Sequence, residues 1–275
     1  MKKILALLSI VAMAWACGTV PITGRKQLNL LPSSELQGMS LTQYSQFLKD
    51  NPPLPDSDPR TQQIKRIGQR IAKSCTEYLK SHGQSKRVAN FKWEFNVVDD
   101  PTLNAWCMPG GKVVFYTGIL PICKDDEGIA VVMGHEVAHA VAQHGNERMS
   151  QGLVTQLGGI GLALAIKDKP AETQNIFSTA YGLGSPFAVI LPFSRKHESE
   201  ADYVGVLLAA DAGYDPRESI KNWQRMAQMS QGAPPEFMST HPNPESRINK
   251  LQERMSYALN LTAEANKLGK RPRCK

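Results

Sequence analysis

The 275-residue sequence predicts an α+β domain, mainly helical with a small β-sheet. Three observations carry this expectation. Phe91–Val98 is aromatic and β-branched, and two further runs, Asn104–Met108 and Lys112–Tyr116, flank Pro109-Gly110-Gly111, which reads as a turn between strands. Much of the remaining chain repeats apolar residues at helical spacing. Glu127–Gln143 is apolar on more than one face, so that helix should be buried. With 41% apolar and 21% charged residues, wholesale disorder and fibrous repeats are excluded, and the length suffices for a substantial core.

In chain order, Met1–Ala16 reads as a signal peptide: Lys2 and Lys3, then apolar Ile4–Val11, then small residues. The apolar run is shorter than the roughly 20 residues that span a bilayer. Cleavage at Ala14-Trp15-Ala16 leaves Cys17 first, either as a lipid anchor or as a free thiol. Gly18 after a lipidated cysteine favours the outer membrane. The expected place is therefore a bacterial cell envelope, with the chain a periplasm-facing outer-membrane lipoprotein held through Cys17. Residues 17–59 read as a tether, with a helical patch at Ser34–Leu48 and breakers at Asn51–Pro55. A folded domain spans residues 60–265 and a basic tail 266–275.

Within the domain, Ile64, Ile67, Ile71 and Tyr78 place a surface helix over Arg60–Leu79. Asp125 or Asp126 caps the buried helix and Gly145 stops it. Gly152–Ile166 is too short to span a bilayer, and Ile176–Phe193 is interrupted by Gly182, Gly184 and Pro186, so both read as helices packed on the core. Helices over His197–Asp211, Asp215–Gln228 and Pro244–Leu259 complete the pattern, the last through Ile248, Leu251, Met255 and Leu259. The net charge of +7 is dispersed, without a Lys/Arg block long enough for a nucleic-acid arm, so no nucleic-acid partner is expected.

His135-Glu136-Val137-Ala138-His139 carries the chemistry. Residues four apart on a helix share a face, so both imidazoles can bind one metal. Glu136 adjoins His135, within reach of a water at that metal without being a ligand. Two hydrogen-bonded core histidines are the plain alternative, but burying Glu136 among Val131, Val132, Val137 and Val141 without a charged or metal partner would cost several kcal/mol. Zinc needs a third protein ligand. Glu198-Ser199-Glu200-Ala201-Asp202 offers one: Glu198 and Asp202 share a face while Glu200 points elsewhere, so one of the pair can bind metal and the other orient a histidine. A solvated, acid-rich helix start is the plain alternative for this cluster.

These motifs, with Asn104–Gly118 (NAWCMPGGKVVFYTG) and Ser239-Thr240-His241-Pro242 followed by Arg247, resemble the gluzincin metallopeptidases of the CAAX prenyl protease and HtpX group. They are most similar to its lipid-tethered periplasmic branch, which includes LoiP and BepA. The resemblance runs from about Arg60 to Met255. It implies a zincin-like domain whose edge strand, Asn104, Ala105, Trp106, Cys107 and Met108, lines the cleft and binds extended substrate. It implies one zinc per chain on His135, His139 and Glu198, with Glu136 as catalytic base and Asp202 behind a ligand histidine. His241 and Arg247 match a pair that stabilises the oxyanion, although in some relatives the histidine caps the zinc instead.

The activity so implied is a zinc metalloendopeptidase cutting unfolded or misfolded exported proteins in envelope quality control. The alternative is a chaperone-like assembly factor for outer-membrane proteins, working with the outer-membrane assembly machinery and cutting rarely. His144 and His197 read as solvated or packing residues, and His82 as a loop residue. With Cys17 lipidated, Cys75, Cys107, Cys123 and Cys274 remain, open to three disulfide pairings.

Overall fold

The computed structural model describes residues 17–157, 195–229, 241 and 244–270. Around its central helix, α3 (Asp126–Val141), the other elements are arranged. Gly128 through Val141 are all buried, as a helix apolar all round requires. Asp125 caps it, accepting the Gly128 N–H at 3.0 Å. The helix ends before the expected Gly145: Gln143 adopts a φ of 57°, and α4 (His144–Leu157) starts immediately afterwards, with Gly145 inside it.

Helix α2 (Pro59–Ser81) lies beside α3 and has Asp58 as its N-cap. Ile64, Ile67 and Ile71 are fully buried on one stripe, each contributing about 1.5–3 kcal/mol relative to an exposed side chain. The surface helix expected from that spacing is therefore present and half-sunk in the core. Strands β3 (Glu94–Val98), β4 (Ala105–Met108) and β5 (Lys112–Tyr116) form a sheet ordered β3-β5-β4. β3 runs parallel to β5, and β4 is antiparallel to it. Gly110 and Gly111 take φ of 88° and 83° in the hairpin, where a side chain would be strained. β4 is the edge strand and packs beside α3.

Residues 17–59 are built into the domain and are not a free tether. β1 (Cys17–Thr19) and β2 (Lys26–Leu28) pair, and α1 (Ser33–Asp50) covers one face of the larger sheet. There Tyr44 and Phe47 pack edge-on against Trp106, and Tyr44 donates its hydroxyl to Glu94 at 2.8 Å. The proline-rich breaker joins too, Leu54 N–H bonding Val97 O at 2.8 Å. Turn-rich composition gave the impression of a spacer, but the few apolar residues in it face long-range partners.

Beyond α4, α5 (Arg195–Asp211), α6 (Glu218–Met229) and α7 (Pro244–Lys267) complete the helical layer, α7 running two turns past Leu259. The signal-like segment 1–16, residues 158–194 with most of both glycine-rich stretches, and Cys274 lie outside the described residues. No helix among the described residues is long and apolar enough to cross a membrane. Cys75, Cys107 and Cys123 are buried free thiols, so none of the three joins a disulfide.

Among the described elements, helices α3 and α5 make the most extensive contact. At its centre Gly134 and Gly205 face each other, and a Cβ on Gly205 would stand 2.6 Å from the Gly134 carbonyl carbon and the His135 nitrogen. Gly205→Ala should accordingly cost about 1–3 kcal/mol through overpacking, read by urea denaturation. Gly38→Ala, where nothing lies within 4 Å of the new carbon, should instead stabilise by about 0.5–1 kcal/mol.

Candidate metal centre

His135 and His139 project from α3 toward the start of α5, where Glu198 faces them. Among the described residues His135, His139, Glu198 and His241 bring ligand atoms within 4.8 Å of one another, all buried. His135 Nε2 and His139 Nε2 are 3.1 Å apart. Glu198 lies 3.4 Å from His139 Nε2 and 3.6 Å from His135 Nε2. The edge of a tetrahedron with zinc–ligand bonds of about 2.0–2.1 Å is about 3.3 Å, so nitrogen and carboxylate donors at these separations fit zinc. His241 Nδ1 adjoins this group, 3.2 Å from His135 Nε2 and 3.0 Å from Glu198 Oε2.

Glu136 lies beside this group. Its Oε1 is buried without a hydrogen-bond partner among the described residues, 3.7 Å from His241 Nε2. Burial pushes its carboxyl up to about 8, the charge on Glu198 adding to the effect. A buried carboxylate with one oxygen unbonded beside a set of metal donors is what a proton-transfer group for a bound ligand looks like. Burial also keeps His139 neutral, well below its usual range, the protonation state that ligation needs.

Asp202, one turn past Glu198, reaches His135 Nδ1 at 3.1 Å. The geometry is that of a carboxylate orienting a ligand imidazole. Arg247 differs from the expected oxyanion donor. It is fully buried on α7, its guanidinium 3.5 Å over the Trp223 ring, and it points inward. Nη1 bonds Glu198 at 2.6 Å, while Nε and Nη2 bond both Asp202 oxygens at 2.6 Å. Two buried carboxylates on adjacent turns need a cation, and this demand outcompetes a role toward substrate.

The run expected to take substrate forms the edge strand β4, preceded by buried Asn104. Asn104 O accepts the Tyr116 N–H at 3.1 Å. By the alternation of an antiparallel ladder, the backbone groups of Ala105 and Cys107 then turn to the outer edge. Trp106 and Met108 side chains belong instead to the cluster under α1 with Tyr44. What β4 offers at its edge is main chain.

Sequence reasoning passed over a second group. His144 and His197 are buried, not solvated, and Glu200 is buried with them. The available signal was the spacing, His144 five residues after His139 and Glu200 two after Glu198, but Arg25, which bonds Glu200 and Glu147, is remote in sequence. His82 caps the end of α2 and stacks on Tyr78.

A buried His-Glu-x-x-His helix faced by a glutamate from a second helix, with an edge strand alongside, defines a metallopeptidase. The chain belongs to peptidase family M48, whose profile matches residues 58–255. It is 34% identical over 238 residues to the mitochondrial metalloendopeptidase OMA1 of Schizosaccharomyces pombe, covering 85% of this chain and 65% of that protein. Against human metalloendopeptidase OMA1, mitochondrial, identity is 30% over 254 residues, 90% of this chain and 47% of that protein. The beta-barrel assembly-enhancing protease of Escherichia coli is 24% identical over 254 residues, 88% and 48% of the two chains. The chain thus spans about half to two thirds of the length of these relatives.

These relatives correct the expected location. Relatives that are 30–37% identical carry mitochondrial names, and the placement as a bacterial outer-membrane lipoprotein does not stand. A short basic and apolar leader is an address read by the cell, and such a pattern does not fix the compartment.

Removal of Arg247 would leave Glu198 and Asp202 buried without a cation. Arg247→Met should lower the stability of the metal-free protein by about 3–5 kcal/mol, measured by urea denaturation in chelator, with Arg247→Lys recovering part of the loss.

Proposed function

We propose that the chain is a zinc-dependent endopeptidase that cuts unfolded or misfolded polypeptide, with His135, His139 and Glu198 as ligands and Glu136 as the proton carrier. The observation that carries this reading is the convergence of three donors at tetrahedral spacing beside the buried Glu136 carboxyl, whose Oε1 is unbonded among the described residues. When bound, zinc supplies Lewis acidity, which acidifies water and polarises a peptide carbonyl.

The protein groups do the rest. Glu136 accepts a proton from the attacking water and returns it to the leaving amine, a task suited to a carboxyl lifted toward neutrality. Asp202 holds His135 in orientation, and Arg247 holds Asp202 and Glu198 in place. An extended substrate adds along the β4 edge through main-chain bonds to Ala105 and Cys107. Such bonds read shape more than sequence, which supports unfolded chains as the substrate class. His241 Nδ1 lies close enough to His135 and Glu198 that it would offer a fourth donor to a bound zinc, and since catalytic zinc keeps an open position, an active site would need His241 withdrawn.

Glu136→Gln should retain zinc yet cut unfolded casein about 10²–10⁴-fold more slowly, read by fragment release with and without chelator. Undiminished cleavage would remove Glu136 from the mechanism. Suppressed aggregation by the wild type without any cleavage would replace the peptidase reading with that of a holding chaperone. His241→Ala should cut casein faster than the wild type in the same assay; a slower rate would return His241 to oxyanion stabilisation.

A further inference from the structure

Behind the metal-binding face lies a second buried group that the peptidase mechanism does not use. Arg25, in the connection from β1 to β2, inserts its guanidinium between α4 and α5. Its Nε donates to Glu200 Oε2 at 2.7 Å, and its two terminal nitrogens donate to the two Glu147 oxygens at 2.8 and 2.7 Å. The Thr23 hydroxyl also donates to Glu200. Glu200 Oε2 lies 3.0 Å from His144 Nε2, and His144 Nδ1 lies 3.0 Å from His139 Nδ1. His197 closes the group, its Nε2 3.0 Å from Glu147 and its ring stacked on His144.

The proton positions along this path follow from chemistry. His139 turns Nε2 toward His135 and Glu198. A neutral imidazole that ligates through Nε2 carries its proton on Nδ1. That proton needs an acceptor, and His144 Nδ1 is at hydrogen-bond distance. Accepting there places the His144 proton on Nε2, which donates a hydrogen bond to Glu200. Glu200 must then remain an anion, and the Arg25 guanidinium with its paired donors ensures this. Every link is a donor facing an acceptor in one direction only.

We propose that Arg25, Glu200 and His144 form a positioning relay that fixes the tautomer and ring orientation of the ligand His139, making the N-terminal hairpin a working part of the metal site. His135 has Asp202 directly behind it; His139 has its carboxylate one imidazole further away. The relay rests on the assignment of His139 as a zinc ligand. It predicts that a residue in the connection from β1 to β2, separated from His139 by Glu200 and His144, controls metal affinity.

The test is the zinc dissociation constant of the full chain, measured by competition with a chromophoric chelator, together with the melting temperature of each metal-free protein. His144→Leu removes the acceptor and should weaken zinc by about 10–100-fold. His144→Asn puts an amide oxygen where Nδ1 stood and should recover most of that affinity. Arg25→Met, which frees Glu200, should weaken zinc by a smaller factor than His144→Leu. A wild type that binds no zinc overturns the ligand assignment and the relay with it. A wild type that binds while His144→Leu matches it overturns the relay alone. Equal losses in the Leu and Asn variants also overturn it, since packing volume would then be the cause. Should His144→Leu fail to fold, Arg25→Met decides: unchanged zinc affinity rejects the relay.

Discussion

Gly134 and Gly205 let α3 and α5 touch backbone to backbone, and the positions of the functional groups follow from that contact. His135 is the next residue after Gly134. Glu198 and Asp202 lie seven and three residues before Gly205, on the face that carries it. Any residue with a Cβ at either glycine would push the helices apart by an ångström or more. Ligand atoms held at 3.1–3.6 Å have no such margin, because metal geometry tolerates only a few tenths of an ångström. The crossing therefore ties the packing of the core to the chemistry of the site.

Burying so much charge in one place demands pairing. Asp202 and Glu198 share Arg247, while Glu200 and Glu147 share Arg25. Each pair of carboxylates would be expensive alone, and each arginine uses its planar fork to serve two of them at once. Such ion pairs add little net stability over apolar packing, yet removing one partner strands the other. Their effect is to fix a single arrangement of α3, α4, α5, α7 and the N-terminal hairpin, which is what a metal site needs from its scaffold.

Much of the local structure was legible in the residues. The amphipathic spacing of Ile64, Ile67 and Ile71, the β-branched runs about Pro109-Gly110-Gly111, the Asp125 cap and the His-Glu-x-x-His face are all near-neighbour patterns, and the structure contains each of them. What stayed hidden depends on contacts between remote residues. Arg25 meets Glu200 across 175 residues, so nothing local distinguishes it from a surface arginine in a turn-rich segment. The same holds for Arg247, whose inward turn is dictated by two acids on another helix, and for Gly205, which resembles any small residue in an apolar helix. Gly145 misled for the opposite reason: the stop signal was real, but the break came at Gln143 and a new helix absorbed the glycine.

The acidic run at the start of α5 shows how far a five-residue pattern can be used. Glu198 faces the metal donors, Asp202 stands behind His135, and Glu200, pointing the other way, stands behind His139 through His144. A helix turns about 100° per residue, so acids at alternate positions cannot share one face. That is why Glu200 looks idle on a helical projection drawn around the metal. Once α4 packs against the opposite side, its His144 brings the path back to the ligand helix. Both histidines are then backed by a carboxylate of α5, and each carboxylate is held by an arginine from a distant segment. Arg25 ties the β1–β2 hairpin to Glu147 of α4 and Glu200 of α5, so residues 17–28 pack as part of the domain and the hairpin cannot be treated as a linker when its boundaries are drawn.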